Sequence, residues 1–591
     1  MRSDAIRTRA LGICLGFVTL MGCSSERVVR FPEGRPTVWQ DNDTTPFYTE
    51  CTPDPEEPGH QLCVPETYVS PFAWDAVDNT IFLPVSRALS VPEPREAENS
   101  NDLDEVADSS WFQNRIGRFG MTTAELMRGP CEGGGTLDPN AAASGDWLID
   151  QGKPNGANPG FRVRAKGAGK FMLKADIAGE PERATAAAAI AARVYWAAGY
   201  HTPCDSVIYV HPSWLALKPG LKFADNSGIE KPFDDKKLSS VLGNAARRGD
   251  FVRMSASRWL PGRTIGPFTY AGVRDDDPND VIPHEHRREL RGARLFAAWL
   301  NHFDAREQNS MNTWMAENEE DPDSTPGHIR HWYLDFGDCF GSQWDWDSIS
   351  RRLGHAYYLD FGYLMEDFVT LGAVERPWDR AQIDDRARIF GYFSARDFDP
   401  AKWRGGYPNP AFHEMTERDA AWAARLISRF TPRLLATAVA SGNLTNPSHS
   451  RTLLDTLLAR RRAILVRYLT RLSPLSDATV TGSELCVRDL ARASGVFDEK
   501  GFRYRSKTYA GARLSPLGET SVRTSANAEL CLTLPRSPGG GAGPSLDRYL
   551  IVDITNGVAQ GPLRVHLYDQ GPKGFELAGL ERPETSEPPV L

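Results

Sequence analysis

Apolar and polar positions alternate in short runs from Trp147 onward. Trp147-Leu148-Ile149 predicts a strand, and Gly152, Gly156 and Gly160 punctuate the loop after it. Phe161-Arg162-Val163-Arg164 alternates with period two, Lys166-Gly167-Ala168-Gly169 predicts a tight turn, and Lys170-Phe171-Met172-Leu173-Lys174 predicts the return strand of a hairpin. The pattern then lengthens. Pro181 to Ala198 predicts a helix, with proline in its first turn, Glu180 and Glu182 at its start and an alanine-rich body. Val207 to Val210 and Phe251 to Met254 predict further strands.

Arg288 to Asn301 carries Leu290, Ala293, Phe296, Ala297 and Leu300 at helical spacing and predicts an amphipathic helix. Met311 to Met315 and Ile329 to Leu334 predict two short strands around the acidic turn Glu317 to Asp323. Residues 355–475 predict a mostly helical region, including Asp419 to Phe430 and Arg451 to Leu472. After Pro474 the pattern returns to short strands and glycine turns, so residues 479–591 predict a small β-sandwich-like unit.

The first hundred residues change the picture of where the chain works. Arg2, Arg7 and Arg9 precede a short apolar run, Leu11 to Leu20, then Met21-Gly22-Cys23-Ser24-Ser25. A basic start, a brief apolar core and a small residue before cysteine predict a signal segment over 1–22 and lipidation of Cys23. The alternative is an ordinary cleaved signal peptide. Serine after the cysteine predicts an outer-membrane destination, with the membrane as a partner through the lipid. Residues 23–100 are rich in Pro, Asp and Glu, as in Thr52-Pro53-Asp54-Pro55-Glu56-Glu57-Pro58, and predict a tether or wrapping arm with little secondary structure.

Nine cysteines and export imply disulfides. Cys51 with Cys63 and Cys486 with Cys531 are the expected bridges. Seven cysteines remain once Cys14 and Cys23 are set aside, so at least one thiol stays free. The net charge of −9 is spread along the chain and argues against nucleic acid as the partner.

The candidate chemistry sits in two stretches. His302-Phe303-Asp304 is followed by Asn309, five residues past the aspartate, and Asp335-Phe336-Gly337 closes an apolar run. H-x-D, then Asn, then D-F-G is the layout of protein-kinase-like folds. The order of strand, glycine loop, strand, lysine-bearing strand, helix and strands over 147–254 is that of a kinase small lobe. Asp108 to Leu472 also resembles a family of bacterial lipoproteins without assigned activity, through Asp108-Ser109-Ser110-Trp111-Phe112, Pro159-Gly160-Phe161, Pro181-Glu182, Gly199-Tyr200-His201, Asp277-Pro278-Asn279-Asp280 and Ala298-Trp299-Leu300-Asn301-His302. More distantly, residues 145–475 resemble the HipA-like and CotH-like atypical kinases. No A-P-E follows Gly337; Asp338-Cys339-Phe340-Gly341-Ser342 stands there instead.

These resemblances imply an α+β, bilobal protein-kinase-like fold. An N-terminal extension and β-rich small lobe would span 101–262, a helical large lobe 263–478, and the β unit would follow. They imply ATP with Mg²⁺ or Mn²⁺ as cofactor. Asp304 would accept a proton from the hydroxyl of an unknown acceptor, Lys174 would neutralise phosphates, and Asn309 and Asp335 would hold metal. Gly156 and Gly160 would let backbone N–H groups approach the nucleotide. Glu182 is the nearest acid to pair with Lys174, because the middle of the helix, Ala186 to Ala189, holds only alanine. Its plainer role is at the positive end of the helix dipole. Each residue alone has a structural reading too, as a turn cap or strand end. His284-Glu285-His286 lacks zinc-ligand spacing and reads as a polar helix start, and no G-x-S-x-G hydrolase elbow occurs. Two functions follow: an exported phosphotransferase, or a pseudokinase that binds or scaffolds at the cell envelope without turnover.

Overall fold

The computed structural model describes residues 30–590 except 55–58, 60, 90–94, 132–134, 153–159, 225–229, 343–345 and 541–542. The class is α+β, as the sequence pattern predicts. The signal segment, Cys23 and Gly156 lie outside the described residues.

A seven-stranded sheet occupies the region of the first strand signals. Its strands are β1 (Trp147–Gly152), β2 (Gly160–Ala165), β3 (Gly169–Ala175), β4 (Asp205–Val210), β5 (Leu215–Leu217), β6 (Arg247–Arg248) and β7 (Phe251–Arg258). The order is β6-β7-β3-β2-β1-β5, with β4 also paired to β7. One face buries Ile149, Phe161, Val163, Phe171, Leu173, Val210 and Val252 in a core of its own. Helix α1 (Arg183–Ala198) follows β3, and nearly all of it is buried. Its alanines let it pack closely: Ala187, Ile190, Ala191 and Val194 join the larger helical core, not the core of the sheet.

That larger core is built by α2 (Arg288–Leu300), α3 (Glu417–Ser428), α4 (Pro432–Ser441) and α5 (Pro447–Tyr468). Beside it, β8 (Arg263–Thr264), β9 (Ser310–Ala316) and β10 (Gly327–Tyr333) form a three-stranded sheet. The helical prediction for 355–475 holds at its two ends only. Residues 371–409 hold short 3₁₀ turns, because prolines and acid–arginine pairs such as Arg376–Asp367 organise them locally.

Residues 475–581 form two antiparallel sheets. The first, β11-β12-β16-β15, comprises β11 (Leu475–Thr481), β12 (Glu484–Asp489), β15 (Arg523–Thr524) and β16 (Glu529–Thr533). The second, β14-β13-β17-β18-β19, comprises β13 (Arg505–Ala510), β14 (Ser515–Gly518), β17 (Tyr549–Thr555), β18 (Leu563–Asp569) and β19 (Phe575–Glu581). Leu485, Val487, Leu530 and Leu532 of one sheet meet Val552, Ile554, Val565 and Leu567 of the other in one core.

The N-terminal stretch differs from its prediction. It runs along the body, but Phe72–Val77, Asp78–Phe82 and Leu83–Leu89 make successive helical turns. Proline-rich composition hid them, since the prolines flank this segment except for Pro84. Phe31 packs on Tyr549 and Tyr568, the Phe47 N–H donates to Gly327 O, and Asp75 reaches Tyr407. Both expected bridges, Cys51–Cys63 and Cys486–Cys531, are present, with a third between Cys131 and Cys204. Cys339 is a buried free thiol. No described helix is long and apolar enough to cross a membrane.

Candidate functional site

Lys174 lies near the end of β3, and strand alternation fixes its face. In register it faces Gly160 on one side and Ser255 on the other. A Cβ on Gly160 would lie 2.3 Å from the Leu173 carbonyl oxygen, so only glycine allows this strand to approach. Gly160 therefore serves the β2–β3 pairing beside Lys174.

Asp176, two residues beyond Lys174, caps α1. Its carboxylate accepts from the Thr185 N–H at 2.9 Å, the Thr185 hydroxyl at 2.7 Å and the Glu182 N–H at 3.0 Å. Arg183 at the start of α1 donates to Gly337 O and Gly341 O, both at 2.9 Å. The helix start thus holds the strand lysine and the D-F-G turn in fixed relation. Phe336 is fully buried against Tyr195 and His302. Asp335 itself adopts a left-handed conformation, φ 54°.

The result is a direct ion pair: Lys174 Nζ lies 2.8 Å from Asp335 Oδ1. Burial alone would lower the Lys174 ammonium. The Asp335 carboxylate outweighs burial and holds it above the usual lysine range. A second pair stands alongside. The Asn309 side-chain amide donates to Asp304 Oδ2 and to Asp304 O, each at 2.7 Å, and Arg306 lies 3.0 Å from Asp304 Oδ1. The Leu334 N–H donates to Asn309 O at 2.9 Å and joins the two loops. Burial pushes the Asp304 carboxyl up; Arg306 opposes this, and the nearby Asp338 and Asp335 carboxylates add to it. All four chemistry-bearing residues expected from the sequence therefore share one electrostatic neighbourhood.

Glu182 sits elsewhere. Its carboxylate accepts from Thr445, from the N–H at 3.0 Å and from the hydroxyl at 2.6 Å. The small cleft beside Lys174 is lined by Ala184, Thr185 and Ala188 of α1, by Ser255 and Ser257, by Asp335 and by Asp205. Sequence reasoning missed Asp205, Asp338 and Arg306. Asp338 and Arg306 stand close to motif residues. Asp205 opens an apolar run as the polar residue before a strand, a position that ordinarily signals only a turn. His302 is fully buried with Nδ1 3.3 Å from the Tyr195 hydroxyl, and burial lowers its pKa to about 4, so it is neutral. His284 is buried in a 3₁₀ turn, its ring 2.7 Å from Asp280, and takes no part in the cleft.

Glu484, Cys486 and Cys531 also cluster, but the disulfide removes both thiolates as ligands. Against known proteins, no family model, no curated protein and no solved structure matches the chain.

Proposed function

We propose that this chain is an exported, lipid-anchored kinase-like protein that binds ATP with Mg²⁺ or Mn²⁺ and transfers phosphate to a protein, sugar or lipid hydroxyl. In this reading the sheet of 147–258 and the helical region of 263–478 are the two lobes of a protein-kinase-like fold. The observation that carries it is the Lys174–Asp335 ion pair at 2.8 Å beside the Asp304–Asn309 pair at 2.7 Å.

The donor set suits a hard divalent cation. The Asp335 and Asp338 carboxylates both act on Asp304, and Asn309 adds an amide. Such oxygen-rich clusters favour Mg²⁺ or Mn²⁺ bound together with phosphate. The cation would neutralise phosphate charge. Asn309 and Asp335 would hold it, Lys174 would meet phosphate oxygens, and Asp304 would orient the acceptor hydroxyl and take its proton.

One feature favours a second reading, a binding module without turnover. The α1 face over the cleft carries Ala184 and Ala188, and Lys174 is engaged with Asp335. Thermal-shift titration separates the outcomes. Stabilisation that requires ATP and Mn²⁺ or Mg²⁺ together supports the nucleotide site, and phosphate release or transfer then distinguishes turnover from binding. No shift with any combination rejects the nucleotide site and the phosphotransferase with it.

Envelope attachment rests on Met21-Gly22-Cys23, and the three disulfides fit an oxidising compartment. Cys23→Ser should move the protein from the membrane to the soluble fraction. Unchanged fractionation would reject lipidation.

A further inference from the structure

Asp205 is the one carboxylate in the cleft that the motif residues leave unexplained. It is the first residue of β4, and pairing fixes where it points. Ser257 of β7 stands opposite Asp205 on one side and opposite Met172 on the other; Ser255 stands opposite Lys174. Residues two apart on a strand share a face, so Lys174, Ser255, Ser257 and Asp205 all project from the same side of the sheet. Lys174 and Asp205 are two strand spacings apart, roughly 10 Å across the sheet, which a lysine stem and an aspartate together span.

The environment of Asp205 is unusual for an acid. It is 2% exposed. Its carboxylate accepts from the Ser257 hydroxyl, and among the described residues no cationic group lies within 4.0 Å of it. The Arg193 guanidinium is close, but it is spent on carbonyls: Asp205 O at 2.8 Å, Ala189 O at 2.9 Å and Met127 O at 2.9 Å. Burial pushes the Asp205 carboxyl up to about 8, against the pull of Lys174 and Arg193. Held neutral by burial, the Asp205 carboxyl ionises when a cation comes into contact with it, so its place on the same sheet face as Lys174 makes it available as that cation's partner in another state. Lys174 is the cation on the same sheet face, with a side chain 21% exposed and three N–H donors, one of them on Asp335. The helix face that also borders the cleft offers Ala184 and Ala188 and no acid.

We propose that Asp205 is the positioning residue for Lys174: when metal and nucleotide enter, Lys174 leaves Asp335, pairs with Asp205, and frees the Asp335 carboxylate for the cation. The structure is then the resting arrangement, in which lysine and metal ligand neutralise each other. The exchange keeps Lys174 charged and partnered in both states. It places the holding acid on strand β4, where the alanine face of α1 has none. This inference rests on the nucleotide reading of the cleft.

The test is binding of a fluorescent ATP analogue with Mn²⁺, with Mn²⁺ binding alone read in parallel, for the full-length protein and its Asp205→Asn and Asp205→Glu variants. Wild type should bind the nucleotide only with metal. Asp205→Asn should bind it about tenfold more weakly, the loss of one charge-assisted hydrogen bond, and Mn²⁺ alone should weaken in the same direction because Lys174 stays on Asp335. Asp205→Glu should recover most of the loss. Melting of each unliganded variant shows that it is folded. Asp205→Asn binding as wild type, or Asp205→Glu as weak as Asp205→Asn in a folded protein, overturns the inference and leaves the nucleotide reading standing. Absence of metal-dependent nucleotide binding in wild type overturns the reading of the cleft and this inference with it.

Discussion

Lys174 and Asp335 meet at 2.8 Å although 160 residues separate them in sequence, and the cap made by Asp176 and the Arg183 grip on Gly337 are what bring them together. The pair is partly open, with side chains 21% and 32% exposed, so its contribution to folding is small, about 0–1 kcal/mol. Asp335→Ala should therefore melt close to wild type yet lose metal-dependent ATP stabilisation. Lys174→Met should keep metal binding and weaken nucleotide. Glu182→Gln, which loosens only the contact to Thr445, should bind nucleotide within about twofold of wild type, under 0.5 kcal/mol. Thermal shift with and without Mn²⁺–ATP reads all three. Intact nucleotide stabilisation in Asp335→Ala would overturn the assignment of the pair.

The Cys131–Cys204 bridge ends one residue before Asp205 and closes a 73-residue separation. A cross-link of that span restrains the unfolded chain by roughly 2–4 kcal/mol. Cys131→Ser/Cys204→Ser should lower the denaturation midpoint accordingly and loosen the start of β4. Cys51→Ser/Cys63→Ser, with a 12-residue separation in the arm, should cost less. Equal losses for the two pairs would argue against loop length as the cause.

Much of this was legible from pattern. The hairpin around Gly167, the helix ending at Ala198 and the strands on either side of the acidic turn follow from periodicity and turn residues, and the structure places them within a few residues of expectation. The D-x-x-x-x-N and D-F-G stretches were visible because their spacing is local. Asp205 was not, because its partner set is assembled by strand register between β3, β7 and β4, which no linear spacing encodes. Asp176 was equally hidden: a lone aspartate after a strand gives no sign that it caps a helix seven residues on. The helical turns of 72–89 were obscured by proline-rich flanks.

Asp104 joins three parts of the chain. Arg288 of α2 lies 2.6 Å from its carboxylate and Arg425 of α3 3.2 Å, and Arg582, just past β19, also pairs with it. All three guanidiniums are 2% exposed or less. Burial would raise Asp104, but the three arginines hold it well below the usual carboxylate range. Removing the shared acid takes the paired carboxylate from Arg582 and one of two from Arg288 and Arg425, a loss of about 3–5 kcal/mol. Asp104→Ala should show that loss in denaturant unfolding, and limited proteolysis should then cut near residues 470–475, where the helical region meets the β unit. A loss below about 1 kcal/mol would mean that Glu105 and Asp419, already paired with Arg425 and Arg288, suffice to balance the buried arginines.

Acid should destabilise the protein through buried histidines. Burial, with Arg330 adding to it, lowers His328 from 6.5 to about 4, and burial depresses His201 and His331 in the same direction. The folded chain keeps these rings neutral where the unfolded chain protonates them. Between pH 6.5 and about 4 the unfolded state therefore binds more protons, and stability present above pH 6.5 is lost as pH falls, by up to about 1.4 kcal/mol per pH unit for each such ring. Asp277, raised by burial to about 6, works the other way: it stays protonated in the fold and withdraws stability as pH rises from 3.8 toward 6. Asp205, Asp304 and Glu307, raised by burial as well, oppose the histidines in the same way, so the share of one ring is read by substituting it. Between pH 7 and pH 4, His328→Gln should lose less melting temperature than wild type, because one of the unmatched protons is gone. A slope unchanged by His328→Gln would show that its ring titrates alike in both states.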